Sequence, residues 1–114
     1  MKKLKFGNHD EVLNFGKKLI DENAYSIGKF SFSGELTTRN SIMTGIEIIT
    51  RLGDKNTRDK YSNTLEFFID NAMINLDNKK VDMHEHDYNM SLNEINIIKE
   101  CFNNSNMRNV NNGY

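Results

Sequence analysis

Residues 57–76 read TRDKYSNTLEFFIDNAMINL, and this stretch decides the fold that the sequence predicts. Its apolar residues recur at steps of three and four, the spacing of one face of an α-helix. The stripe consists of Tyr61, Leu65, Ile69, Ala72, Met73 and Leu76, and Phe68 widens it. Twenty residues at about 1.5 Å per residue span about 30 Å, the diameter of a small domain. We therefore expect a long central helix on which the other elements pack.

Two helices are predicted before this stretch. Asn8 has the residue type of an N-cap, and Glu11 follows at the capping-box position, so a first helix is expected over residues 9–23. A second helix is expected to begin near residues 40–41 and to end at Gly53, which suits a left-handed terminal residue. The apolar side of the first is Val12, Leu13, Phe15, Leu19 and Ile20, and that of the second is Ile42, Ile46, Ile49 and Leu52.

Each of these two helices contains a glycine, Gly16 in the first and Gly45 in the second. An internal glycine costs up to about 1 kcal/mol relative to alanine, which predicts a compensating close approach of a neighbouring helix at each position. Residues 54–56 then form a short connection into the central helix. Such a connection predicts that the second and central helices are antiparallel neighbours.

The last predicted helix begins at Ser91. Ser91 and Glu94 match the S-x-x-E capping box, and Met90 is placed to contact Ile95. The Asn-rich sequence after this helix has few apolar residues with which to offset the entropy of ordering. We therefore expect a single globular domain over residues 1–103 and a flexible tail over 104–114.

A small β element is expected beside the helices. Residues 2–6 and 29–36 alternate polar and apolar side chains, with Phe30 and Phe32 directed toward the core. Tyr25 is expected in the core with them, although the three rings could instead form a platform for a ligand. A further strand is possible through Val81 and Met83. The predicted fold class is thus α+β and helix-rich, with about four helices packed around the central helix.

Composition places the chain among small intracellular proteins. Its 114 residues suit one domain, and 37% of them are hydrophobic. Cys101 is the only cysteine, so no internal disulfide indicates an oxidising compartment. The first residues, MKKLKF, precede no apolar run, and no stretch approaches the roughly 20 apolar residues that span a bilayer. We expect a soluble, cytoplasmic protein that does not engage membranes.

The net charge of −1 fits neither a strongly basic nucleic-acid binder nor an acidic mimic of nucleic acid. Its distribution is uneven, because residues 1–60 carry eleven Lys or Arg against eight Asp or Glu, whereas residues 61–114 carry four against eight. Eighteen asparagines and the absence of proline and tryptophan suggest an AT-rich coding sequence, as in low-GC bacteria or their phages.

The segment DMHEHDY, residues 82–88, holds two of the three histidines. In an extended segment His84 and His86 point to the same side and could share a metal ion. A third ligand would have to come from a distant residue, and His9 is the remaining histidine. A solvated polar loop is the alternative interpretation of this segment.

Basic residues cluster where the second and central helices join. They are Arg51, Lys55, Arg58 and Lys60, with Asp54 and Asp59 between them. This junction is a candidate partner-binding surface, and in a second interpretation it binds nucleic-acid phosphates. Cys101 lies on an apolar stripe without basic neighbours in sequence, which favours a structural thiol over a nucleophile.

No pattern of catalytic residues emerges from the sequence, so the leading hypothesis is a non-enzymatic interaction protein without a cofactor. It would bind a larger protein as an inhibitor, an immunity protein or a regulator. Two other hypotheses remain open: a metal-dependent hydrolase that uses His84 and His86, and a nucleic-acid-binding regulator that uses residues 51–60.

Overall fold

The structure, a computed structural model, describes residues 8–27 and 35–107. Its α-helices are α1 (His9–Asn23), α2 (Glu35–Leu52), α3 (Lys55–Lys79) and α4 (Glu85–Asn104). A first 3-10 helix (Ala24–Ser26) follows α1, and a second (Lys80–Asp82) follows α3. The helix-rich character predicted from the sequence is confirmed.

The small β element is not shown. Residues 2–6 and 28–34, with Phe30 and Phe32, lie outside the described ranges, and within those ranges the chain forms no strand. Residues 35 and 36 begin α2 instead of ending a strand, because no glycine or proline interrupts the helix between residues 35 and 44. The strand considered through Val81 and Met83 is also wrong, since Val81 lies in the second 3-10 helix.

Side chains cap two of the helices. Asn8 Oδ1 accepts a hydrogen bond from the Glu11 amide at 3.1 Å, and α1 has the predicted bounds. Asp54 Oδ1 accepts from the Thr57 amide at 2.8 Å and so caps α3. The same hydrogen bond is the main cause that lowers the pKa of Asp54.

The start predicted for the last helix at Ser91 is wrong. α4 begins six residues earlier, with Glu85 and Asp87 in its first turn, where carboxylates interact favourably with the helix dipole. Ser91 and Glu94 are both buried in its interior. Glu94 Oε2 accepts a hydrogen bond from Arg39 Nη1 at 2.9 Å, so the apparent capping box instead supplies a contact between α4 and α2.

α1 and α2 approach each other closely at the two internal glycines. A Cβ atom on Gly16 would lie 2.6 Å from Ile48 Cγ2, and one on Gly45 would lie 2.8 Å from Ile20 Cδ1 and 3.0 Å from the Gly16 carbonyl oxygen. Neither position leaves room for a methyl group. The predicted close approach is confirmed at both positions.

Gly53 ends α2 as predicted, but its backbone is not left-handed. Its amide donates a hydrogen bond to the Ile49 carbonyl at 2.9 Å. A Cβ atom at Gly53 would lie 2.8 Å from the same carbonyl oxygen. The glycine is therefore needed because space is short, and only Gly53 and Asp54 separate α2 from α3.

The helices converge on α2 and not on α3. α2 packs against α1 most extensively and also contacts α4 and α3, whereas α3 packs mainly against α4. The buried apolar side chains form one cluster: Ile20, Ala24, Ile27, Ile42, Ile46, Ile49, Tyr61, Leu65, Ile69, Ala72, Leu76, Ile95, Ile98, Phe102 and Met107. α3 is the longest helix, as predicted, but its expected central position is wrong.

The packed chain continues beyond residue 103. The Ser105 hydroxyl donates to the Phe102 carbonyl at 2.6 Å and accepts from the Met107 amide at 3.1 Å, and Asn106 has a left-handed backbone with φ 68°. This turn returns Met107 to the core, where its side chain is fully buried. Residues 104–107 therefore pack with the domain, and residues 108–114 lie outside the described part.

Among the described helices, none combines the length and the apolar character needed to cross a bilayer.

Candidate functional site

The three histidines lie at the starts of two helices. His84 is the N-cap residue of α4, His86 lies in the first turn of α4, and both are exposed. The shared metal site was predicted for an extended segment, in which alternate side chains point to the same side. The chain is helical from Glu85 onward, so this alternation does not hold. His9 lies at the start of α1, with Nδ1 3.8 Å from Asp10 Oδ1.

Residues 8–27 and 35–107 contain no group of three or more His, Cys, Asp or Glu side chains arranged to hold a metal ion. A metal site at His84 and His86 stays a prediction.

The basic side chains of the junction contact nearby groups of the same chain. Arg51 pairs with Glu47 and Lys55 pairs with Asp59, each at 2.9 Å. Nη1 of Arg58 donates to the Gly53 carbonyl and so closes the turn between α2 and α3. Lys60 Nζ lies 5.4 Å from the centre of the Tyr61 ring. Carboxylates therefore lie among the cations of this junction. Its role in partner binding stays a prediction.

Cys101 lies half-buried on α4. Burial, and to a smaller extent the nearby carboxylate of Glu47, raises the pKa of its thiol. The thiol therefore remains protonated near neutral pH, as a structural cysteine does.

The most distinctive surface feature lies on α3 and the 3-10 helix that follows it, and no sequence-based prediction identified it as a surface. Phe67, Ile74 and Val81 are exposed by 60%, 57% and 89%. Phe67 and Ile74 are seven residues apart, which is about two helical turns, so both lie on the side of α3 opposite to buried Leu65 and Ile69. Val81 follows in the second 3-10 helix. We call Phe67, Ile74 and Val81 the α3 ridge.

A cleft of about 550 Å³ borders the ridge, between α3, the first 3-10 helix and the start of α4. Its lining residues are Tyr25, Ile27, Phe68, Asn71, Ala72, Asn75, Leu76, Lys79, Met83, Asp87 and Ser91. Phe68 in the cleft contacts Phe67 of the ridge edge to face, with ring centres 5.3 Å apart. The cleft and the ridge therefore form one continuous surface along α3.

Tyr25 stands at the rim of this cleft and is 58% exposed, so its expected place in the core is wrong. Phe15 on α1 is likewise 53% exposed, although the sequence placed it on the buried stripe. The ridge itself had a visible signal, the seven-residue spacing of Phe67, Ile74 and Val81. Its residues are widely spaced among polar ones, whereas the apolar stripe of the core face recurs at every turn of the helix and is the more prominent pattern.

No protein-family model, curated protein or solved structure matches this chain.

Proposed function

We propose that this protein is a small, non-enzymatic interaction protein that binds a larger protein partner through the α3 ridge and the adjoining cleft. An inhibitor, an immunity protein or a regulator would act in this way. The observation that carries the proposal is the exposure of two large apolar side chains, Phe67 and Ile74, on a helix whose opposite face is already buried in the core, with exposed Val81 just after that helix.

A partner that covers the ridge buries apolar surface, which favours binding. Covering an exposed aliphatic or aromatic side chain contributes about 1.5–3 kcal/mol. Single exposed apolar residues are common on soluble proteins, whereas an aligned row beside a concave cleft is typical of a binding surface. A partner helix or loop that covers Phe67 and Ile74 also reaches the cleft, because Asn71 of the cleft lies one helical turn after Phe67.

The other two hypotheses have weaker support. A metal-dependent hydrolase rests on His84 and His86, for which the described structure supplies no third ligand beside them. A nucleic-acid-binding role rests on the basic junction, whose side chains contact carboxylates, a carbonyl group and an aromatic ring of the same chain.

Site-specific photocrosslinking tests the proposal. A photoreactive phenylalanine analogue is placed at position 74, or at position 15 as a matched exposed apolar site on α1, and the protein is irradiated in lysate of its natural host cells. We expect a discrete protein adduct from position 74 and none from position 15. The adduct should disappear when Phe67→Ser is added.

Equal adducts from both positions, or an adduct at position 74 that Phe67→Ser leaves intact, would mean that the ridge does not bind the partner. Circular dichroism of each variant shows whether the helices are retained, so a loss of the adduct can be separated from unfolding.

A further inference from the structure

The cleft beside the α3 ridge is lined by polar side chains that the chain itself does not pair. Asn71, Asn75 and Lys79 follow one another along α3 at steps of four residues, and Asp87 of α4 lines the cleft with them. Within the described part of the chain, none of these four side chains has a hydrogen-bond or ion-pair partner. Lys79 and Asp87 are the charged residues of the described lining, so its charges cancel.

Apolar and polar groups of this surface are covered together when a partner binds. Phe67 lies one helical turn before Asn71, and Phe68 and Leu76 line the cleft. Burying a carboxamide, an ammonium group or a carboxylate without a hydrogen-bond partner costs about as much as covering an exposed apolar side chain gains. The partner must therefore supply hydrogen-bond donors and acceptors as well as apolar side chains.

An extended backbone supplies such groups, whereas the backbone of a helix does not, because its internal N–H and C=O groups bond to each other. In an extended chain, the N–H and C=O groups of alternate residues point to the same side, about 6.6 Å apart. Side chains one turn apart on a helix are separated by about 5–6 Å. A carboxamide both donates and accepts, so Asn71 and Asn75 match two such residues in spacing and in chemistry.

We infer that the partner protein presents an extended segment without net charge, whose backbone pairs with Asn71 and Asn75 and whose apolar side chains cover Phe67 and fill the cleft. Lys79 donates to a further backbone carbonyl group, and Asp87 accepts from a further backbone N–H group. Main-chain hydrogen bonds provide affinity in this kind of recognition, and the cleft selects the side chains. This inference rests on the proposed function and specifies the conformation and chemistry of the partner.

A peptide-display selection tests the inference without knowledge of the natural partner. The probe is a random library of peptides of about 16 residues, which is long enough for a helix or for an extended chain. Peptides are selected on the whole chain and depleted on its Phe67→Ser variant, so that only ridge-dependent binders remain. Each backbone nitrogen of a selected peptide is then methylated in turn, which removes one hydrogen-bond donor at a time.

We expect methylation at alternate residues to weaken binding by about tenfold or more, and methylation at the residues between them to change it by less than about twofold. Asn71→Ala and Asn75→Ala should each weaken binding by about three- to tenfold, as expected for the loss of one or two hydrogen bonds. On Asn71→Ala, methylation of the paired nitrogen should lose most of its effect.

The matched control is Asn14→Ala, which removes an exposed carboxamide from α1 and should leave peptide binding unchanged. Circular dichroism of each variant shows whether its helices are retained, so weaker binding can be separated from unfolding.

Ridge-dependent peptides that bind as helices, or that bind equally well to Asn71→Ala and Asn75→Ala, would overturn the inference and leave the proposed function standing. Self-association of the protein in sedimentation, abolished by Phe67→Ser, would overturn it in favour of a second copy. If no ridge-dependent peptide is selected, the inferred extended segment is wrong, and the crosslinking result from position 74 decides separately whether the ridge binds protein.

Discussion

Gly16 sets the distance between α1 and α2, because the side chain of Ile48 occupies the space that a larger residue would need. Gly16→Ala gains up to about 1 kcal/mol in helix propensity. The added methyl group, however, meets Cβ and Cγ2 of Ile48, which are fixed close to the α2 backbone. We expect a net loss of about 1–3 kcal/mol in the free energy of unfolding, measured by urea denaturation.

Asn14→Ala is the control for this substitution, since Asn14 is exposed on the same helix and an alanine there changes only helix propensity. It should leave stability unchanged or slightly higher. If Gly16→Ala stabilised the protein as Asn14→Ala does, the helices would not be in contact at Gly16.

Tyr61 makes stability depend on pH in alkaline solution. Burial, together with the hydrogen bond that its hydroxyl donates to Asp21 Oδ2 at 3.0 Å, raises the pKa of Tyr61 from 10.0 to about 12. The folded state therefore holds the phenol proton more tightly than the unfolded state does. The resulting stabilisation is complete below pH 10 and is lost as the pH rises toward about 12.

Denaturant unfolding at a series of pH values measures this effect against Tyr61→Phe, which has no proton to lose. Wild-type stability should fall more steeply than that of the variant between pH 10 and about 12. Parallel curves would show that Tyr61 titrates normally in the folded protein.

At the scale of the element, α3 has a buried apolar face and exposed apolar residues on its other side. Leu65 is fully buried in the core, whereas Ile74 is largely exposed. Leu65→Ala should cost about 2–5 kcal/mol of unfolding free energy, because it leaves a cavity. Ile74→Ser should change stability by less than about 0.5 kcal/mol.

Chemical denaturation of both variants checks this difference. A loss at Ile74 as large as that at Leu65 would mean that the ridge is covered within the folded chain and is not a binding surface.

The turn after α4 belongs to the packed domain, because Met107 is fully buried. A chain that ends at residue 103 should therefore melt at a lower temperature than one that ends at residue 107, since it exposes the contacts of Met107 to water. Thermal unfolding followed by circular dichroism compares the two. Met107→Ala in the full chain should reproduce much of the loss, and equal melting temperatures for the two truncated chains would contradict the packing of this turn.

At the scale of the whole molecule, charge argues against general binding to nucleic acid. The net charge is −1, and the four side chains of the basic junction already contact other groups of the chain. We expect weak binding or none to duplex DNA near physiological salt, measured by fluorescence anisotropy. Sub-micromolar affinity that decreases steeply with added salt would favour the nucleic-acid hypothesis instead.

The sequence alone determined the features that depend on neighbours a few residues away. The Asn8 cap and the bounds of α1 follow from local hydrogen bonding, and the core stripe of α3 follows from the helical period. The close approach at Gly16 and Gly45 was also predictable, because a glycine within a helix is costly unless a neighbour needs the space.

Only the tertiary structure decided which surfaces meet. It placed Glu94 against Arg39 instead of at a helix start, returned Met107 to the core, and made α2 the helix on which the others converge. It also left Phe67 and Ile74 exposed. A capping motif or an apolar residue has the same local signature wherever its side chain points. Its burial depends on residues far along the chain, as the contact between Arg39 and Glu94, 55 positions apart, shows.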